Sequence, residues 1–360
     1  MTRLPILAVT TAVIVAFAGT APAASFYKDR TVRIIVPSGS GGTYHLYCQI
    51  LSRYLGRYLG ENTRVITQNM PGAGGVKAAR YMLNAAPRDG SYIAMINPGS
   101  IALPGLRKNV GFETLKMDWL GSMSGRAYTV GVYNGSRDNS GYNAAELAKK
   151  FGPAIKTVAD ARTRTVIMGT SGKASTSYLV PTFMNQTLGT KFKIILGYKS
   201  GGAMNLALQN GEIEGRGNFY TGYLGVWPEA IRDKQITFLA RLGPDNPDMQ
   251  DIPKLRDMLK TDSEREMLDI LEVSFNVGQA FYAPNGLPAG RLDKLRTAFL
   301  AAVKDPALRI DAQKRFLPMN YQTHQEVLKS IQKVFNKPPS AFKALAKMLG
   351  FDKAKKKKKK

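Results

Sequence analysis

Acidic side chains are scarce in this chain, and where they are missing matters more than the total. Against 51 Lys and Arg stand 26 Asp and Glu, for a formal net charge of +25. Two stretches, 31–59 and 161–211, hold no Asp or Glu, although the second carries Arg162, Arg164, Lys173, Lys191, Lys193 and Lys199. Cysteine is nearly absent: Cys48 stands alone, which excludes an intramolecular disulfide. There are two histidines, His45 and His324, and neither an H-E-x-x-H helix nor a G-x-S-x-G elbow occurs. His45 and Cys48 share a helix face at i, i+3, but two ligands without carboxylates make a poor metal site. No metal and no cofactor are expected, and an enzyme is not the preferred reading. Beyond the N-terminal leader no run approaches the roughly 18 apolar residues of a membrane span.

That leader has a basic start at Arg3, an apolar stretch over 6–18 and the small residues Ala21-Pro22-Ala23. The pattern is that of a secretory signal peptide over 1–23, which sets it apart from the fold and sends the mature chain out of the cytoplasm. An exported chain without disulfides must rely on buried cores, and 44% hydrophobic residues supply them. The balance stays strongly basic without Arg3 and the lysines at 355–360. Outside the cytoplasm, the expected consequence is a field that draws in small anions, not nucleic acid. The lysine-rich end, 351–360, reads as a disordered tail.

What is there in quantity is glycine, placed after short β-rich runs. Residues 33–36 lead into PSGSGGT, after which Leu46, Ile50, Leu51, Tyr54, Leu55 and Tyr58 recur on one helical face until Gly60. The order repeats: 64–68 into NMPGAGG and a helix over 76–85, then 92–96 into NPGS. Farther on, 165–168 feeds GTSGKASTS and a helix over 178–188, and 192–196 feeds GYKSGG and a helix over 203–209. Such alternation predicts βαβ units and parallel sheets, here in two runs. The segment between them, GSMSGRAYTVGVYNGSRDNSG, reads as a crossover between domains. After Arg241 the loop GPDNPDMQDIP precedes helical stretches at 254–267, 291–303 and 325–335. The expected fold class is therefore α/β with two lobes, the last helices returning to the first.

In open parallel sheets ligands sit at the carboxyl ends of the strands, where helices begin. Helix N-termini present unpaired N–H groups and partial positive charge. Here none of the glycine-loop junctions supplies its own acid, which points to N–H groups left for an outside anion. A nucleotide fits poorly. GTSGKAST has Ile167 where a P-loop needs its first glycine and Ala174 where it needs Ser or Thr. GSGGTY lacks the G-x-G-x-x-G spacing, since Tyr44 replaces the last glycine.

The segments VPSGSGGTYHLYCQILSRYLG, QNMPGAGGVKAARYMLNAAPRDG, GTSGKASTSYL and LGYKSGGAMNLALQNGEIEGR resemble the tripartite tricarboxylate transporter substrate-binding proteins, also called Bug-type receptors. The loop PDMQDIPKL and the turn YAPNGLPAGRLDKL extend the likeness, in the family's order, from about residue 26 to 335. The resemblance implies a type II periplasmic-binding fold, two α/β lobes closing on a small organic acid. It implies a periplasmic, monomeric receptor that hands a carboxylate to membrane permease subunits. Lobe 1 is expected at 24–121 plus 242–350 and lobe 2 at 122–241. Carried over residue by residue, first-lobe ligand contacts fall on Ser38, Gly39, Ser40, Gly41, Gly42, Thr43 and Tyr44, with His45 beside them. Second-lobe contacts fall on Thr170, Ser171, Ser175, Lys199, Ser200, Gly201 and Gly202. This chain departs from the family's pattern at His45, Gln49, Ala174 and Tyr178. His45 replaces the family's usual Asp, a hook for a ligand amino group, and this shifts the expectation toward a plain carboxylate or dicarboxylate. Two other classes stay open on the residues alone. One is a secreted hydrolase using His45 with a nearby Ser, for which nothing supplies an orienting acid. The other is a basic adhesin or nucleic-acid binder.

Overall fold

The computed structural model describes residues 26–135 and 141–352. The signal peptide expected over 1–23, and the tail beyond Asp352, lie outside the described residues. Phe351, the first residue of the expected tail, packs against the core and donates its N–H to the Ala346 carbonyl at 2.8 Å.

The chain builds two sheets. The first contains β1 (Thr31–Val36), β2 (Arg64–Asn69), β3 (Tyr92–Met95), β4 (Asp118–Ser122), β10 (Ala280–Ala283) and β11 (Gln322–Thr323), in the order β11-β4-β10-β3-β1-β2. The second contains β5 (Tyr128–Tyr133), β6 (Val166–Thr170), β7 (Phe192–Leu196), β8 (Gly215–Phe219) and β9 (Ile236–Leu242), in the order β7-β6-β8-β5-β9. The expected lobe boundaries at 121/122 and 241/242 each cut one residue inside a strand end, at Ser122 and Leu242.

Parallel neighbours need crossover connections, and helices supply them. α1 (Thr43–Leu59) links β1 to β2 and α2 (Val76–Asn84) links β2 to β3, both pairs involving β1 being parallel. In the second sheet α4 (Thr176–Leu188) and α5 (Gly201–Gln209) play the same part around β6, β7 and β8, after an earlier α3 (Ala144–Phe151). Antiparallel strands complete both sheets: β10 enters between β3 and β4, and β5 between β8 and β9.

α6 (Asp262–Val277) packs on α9 (His324–Phe335) and α10 (Pro339–Met348), while α7 (Ala289–Lys304) and α8 (Pro306–Gln313) lie against α1. The helix expected at 254–267 begins later. Leu255–Met258 is a single 3-10 turn, and Thr261 with Glu264 forms a capping box that starts α6 at Asp262. One buried cluster runs from Ile35 and Trp119 in the first sheet to Val130 and Met168 in the second, through Phe183 and Phe275. A second cluster seats Leu51, Leu55 and Leu59 of α1 against Leu295, Phe299 and Leu308. Each such side chain contributes roughly 1.5–3 kcal/mol by leaving water. No described helix is long and apolar enough to cross a membrane.

Candidate ligand-binding cleft

The carboxyl ends of β1, β3, β6, β7 and β8 face one another across the gap between the sheets. Ser38 follows β1, Asn97 follows β3, Ser171 follows β6, Lys199 and Ser200 follow β7, and Asn218 and Phe219 end β8. Tyr128 stands at the opening end of its strand, but antiparallel pairing sets it opposite Phe219 and so on the same edge. These residues, with Thr43, Tyr44 and Ser175 to Ser177, line a cavity of about 50 Å³. Backbone from the two sheets meets directly beside it, so the lobes stand closed.

Two glycine seams bring the lobes this near. In one, the Gly39 N–H donates to the Lys199 carbonyl at 2.8 Å, across the gap. A Cβ on Gly42 would lie 3.1 Å from the Gly201 nitrogen, and one on Gly202 would overlap the Gly41 carbonyl. In the other, a Cβ on Gly74 would lie 2.7 Å from the Ser175 nitrogen, and one on Gly99 would overlap the Ala174 carbonyl. Much of the loop glycine therefore serves the approach of backbone to backbone. The Gly39 amide, read from the sequence as open to an anion, is taken by Lys199.

Other donors stay available. α1 begins at Gly42 with no side-chain cap and no acid in its first turn. α4 begins at Ser175, again without a side-chain cap or an acid. The Ser175 hydroxyl turns instead toward the Gly172 carbonyl (2.9 Å) and joins Thr170 and Ser177 in a ring of hydroxyls, each contact 2.8 Å. Such rotors present a proton or a lone pair as a neighbour demands. At α5 the Ser200 hydroxyl accepts from the Ala203 N–H at 3.1 Å, so that end is capped from within.

No Asp or Glu lines the cavity. Its charged side chains are Lys199, which is exposed, and Arg216, which is only 4% exposed. Arg216 Nη1 donates to the Gly201 carbonyl (2.5 Å) and to Asn205 Oδ1 (2.7 Å), while its Nε has no hydrogen-bond partner. Its neighbour Glu214 pairs with Arg164 at 2.6 Å. A second buried guanidinium, Arg126, lies 4.0 Å from the Phe219 ring centroid and donates to Thr221 Oγ1 at 2.8 Å. Burial lowers both arginine pKa values, and the groups that oppose this are tyrosine hydroxyls alone. Burial pushes Tyr44 up to about 12, so its hydroxyl is neutral.

Nine of the sequence-predicted residues line the cavity: Ser38, Gly42, Thr43, Tyr44, Ser171, Ser175, Lys199, Ser200 and Gly201. Gly39, Gly41 and Gly202 form the seam, and Thr170 sits behind the wall, holding Ser175 and Ser177. Ser40 is exposed and not among the lining residues. His45 does not line the cavity either; its Nδ1 is buried without a partner, and burial lowers its pKa. Sequence reasoning missed Asn97, Tyr128, Thr176 and Ser177, together with Met204, Arg216, Gly217, Asn218 and Phe219. Asn97 and the two hydroxyl residues fall within glycine loops already singled out. The β8 set carried a weaker signal, Arg and Asn inside the β-prone GRGNF. Among the described residues no group of three or more His, Cys, Asp or Glu is placed to hold a metal, and Cys48 is buried with its thiol pKa raised.

Comparison with known proteins agrees with the two-lobed α/β fold. A family model described as "Tripartite tricarboxylate transporter family receptor" matches residues 52–346. A UPF0065 protein of Bordetella bronchiseptica is 24% identical over 313 residues, 87% of this chain and 84% of the relative. The periplasmic binding protein BugD superposes with a TM-score of 0.67 at 21% identity, over 91% of this chain and all of that one. MatC of Rhodopseudomonas palustris, solved with malate, gives 0.62 at 18% identity over 88% and 99% of the two chains. A second R. palustris protein, solved with adipate, gives 0.61 at 18% identity over 89% and 97%. The chain belongs to the tripartite tricarboxylate transporter receptor family, a class of solute-binding receptors.

Proposed function

We propose that this chain is a periplasmic receptor that closes its two lobes on a small organic carboxylate or dicarboxylate and delivers it to a tripartite tricarboxylate-type membrane transporter. It acts as a monomer, free of its signal peptide, and does no chemistry on the ligand. The observation that carries the reading is the acid-free cavity between the lobes, walled by the bare N-termini of α1 and α4. Amides at such ends are ready-made anion donors. Three or four charge-assisted hydrogen bonds, at roughly 1.5–3 kcal/mol each, suffice for the about 8 kcal/mol of micromolar affinity. Malate and adipate, bound by two structural neighbours, are both dicarboxylates.

The test is a thermal-shift and calorimetric panel of mono-, di- and tricarboxylates on protein freed of carried-over ligand. At least one acid is expected to raise the melting temperature in a saturable way. A panel with no response, on protein shown to be folded and empty, ends the reading.

A further inference from the structure

We propose that Arg216 is the side chain that pairs with the ligand's carboxylate, and that this pair makes the receptor select an anion over a neutral isostere. The inference rests on the receptor reading above and adds to it a residue and a charge requirement.

A buried guanidinium without a countercharge is unfavourable, because a desolvated ion needs a partner. Arg216 is such an ion. Among the described residues no carboxylate pairs with it, and its electrostatic neighbours are the hydroxyls of Tyr44, Tyr128 and Tyr223. Arg216 lines the cavity; its Nη1 is engaged with Gly201 and Asn205, and its Nε is buried without a partner. Nη2 lies 3.3 Å from where a Cβ on Gly201 would sit, and the Gly201 nitrogen lies 3.1 Å from where one on Gly42 would sit. The guanidinium and the uncapped start of α1 border the same cavity. A carboxylate there meets planar donors in a fork and helix amides together. Arg126, buried against the Phe219 ring, is a second cation close enough to act on Tyr44 of the cavity wall.

A purely structural Arg216, tying α5 to β8, makes the opposite forecast. The experiment uses the mature chain with succinate, malate and adipate as calorimetric probes, in wild type, Arg216→Met and Arg216→Lys. The expected result is binding of at least one diacid by wild type, weakened at least about 30-fold in Arg216→Met and less in Arg216→Lys. Ligand-free Arg216→Met is expected to melt no lower than wild type, since an unpaired buried charge has gone. The Arg216 Nε–H resonance of wild type, assigned by its loss in Arg216→Lys, is expected to move downfield when the diacid binds. A folded Arg216→Met that binds within about threefold of wild type overturns the assignment while the receptor reading stands. So does an Nε–H resonance that ignores the ligand, which decides the matter if Arg216→Met does not fold. Wild type that binds no diacid removes the receptor reading for this class, and the assignment with it.

Discussion

Two kinds of helix beginning coexist in this molecule. α3, α6 and α9 each start with a full capping box, Asn143 with Glu146, Thr261 with Glu264, and Thr323 with Glu326. The side chains satisfy the first amides, and the glutamate answers the positive end of the helix dipole. α1, α2 and α4 begin at Gly42, Gly75 and Ser175 with no side-chain cap and no acid. α7 and α10 are uncapped too, but they start at exposed residues, 288–290 and 338–340, where water serves. Where the chain supplies its own anion in a capping box, it does so away from the cleft, and it withholds one from the lobe-facing ends of α1, α2 and α4. The third residue of α1 is His45, in the very place that Glu146, Glu264 and Glu326 occupy in the capped set.

The sharpest way to break this contrast is to supply the missing acid. Thr43→Asp places a carboxylate in the first turn of α1, at the cavity wall. Like charge against the ligand costs several kcal/mol, so binding is expected to weaken at least about 100-fold. The melting temperature of the ligand-free protein should hold or rise, because the acid now serves the helix end. Calorimetry beside a thermal melt separates the two effects, and unchanged binding would remove α1 from the site. Next in size is Gly202→Val, whose Cβ overlaps the Gly41 carbonyl across the first seam. Overpacking at roughly 1–3 kcal/mol makes the closed state less favourable and lowers affinity about tenfold to hundredfold. Solution scattering should show a ligand-saturated variant that stays larger than wild type.

The repeating strand, glycine loop and helix were legible in the sequence because each link is local: hydrophobic period, turn residue, cap. So was the first-lobe rim of the cleft, since a loop after a parallel strand faces the crevice whatever else the chain does. Tyr128 and Phe219 were not legible, because they reach the cleft through antiparallel pairing of β5 with β8, a choice made by tertiary topology. Arg216 was hidden for a related reason. Glu214, two residues away, offered it an obvious partner, and only the fold gives that carboxylate to Arg164. The glycine loops were read as offering their amides to a ligand, and part of what approaches them is the other lobe. That distinction needs both lobes in view.

Smaller effects sharpen the capped side. Thr261→Ala removes the side-chain acceptor for the Glu264 N–H and should lower stability by about 1 kcal/mol. Ligand affinity should not change, since neither Thr261 nor any α6 residue lines the cavity. A urea titration with and without a saturating acid checks both halves.

The smallest effect belongs to His45 and its uncapped helix end. Burial holds the His45 imidazole below its ordinary pKa; His324 is lowered by burial and by Arg296, against an opposing pull from Asp293. The unfolded chain, with histidine near ~6.5, then binds more protons than the folded one wherever pH lies between the two values. The resulting stability is fully present above that unfolded pKa and is lost as pH falls toward the folded one. The urea midpoint is therefore expected to drop between pH 7.5 and 5.5, and to drop less in His45→Gln. His45→Glu, which restores an acid at the third helical position, should abolish the His45 share of that dependence. It should also weaken ligand binding less than Thr43→Asp does, because His45 does not line the cavity. Equal losses from the two acids would show that net charge at the helix end, not contact with the ligand, governs the site.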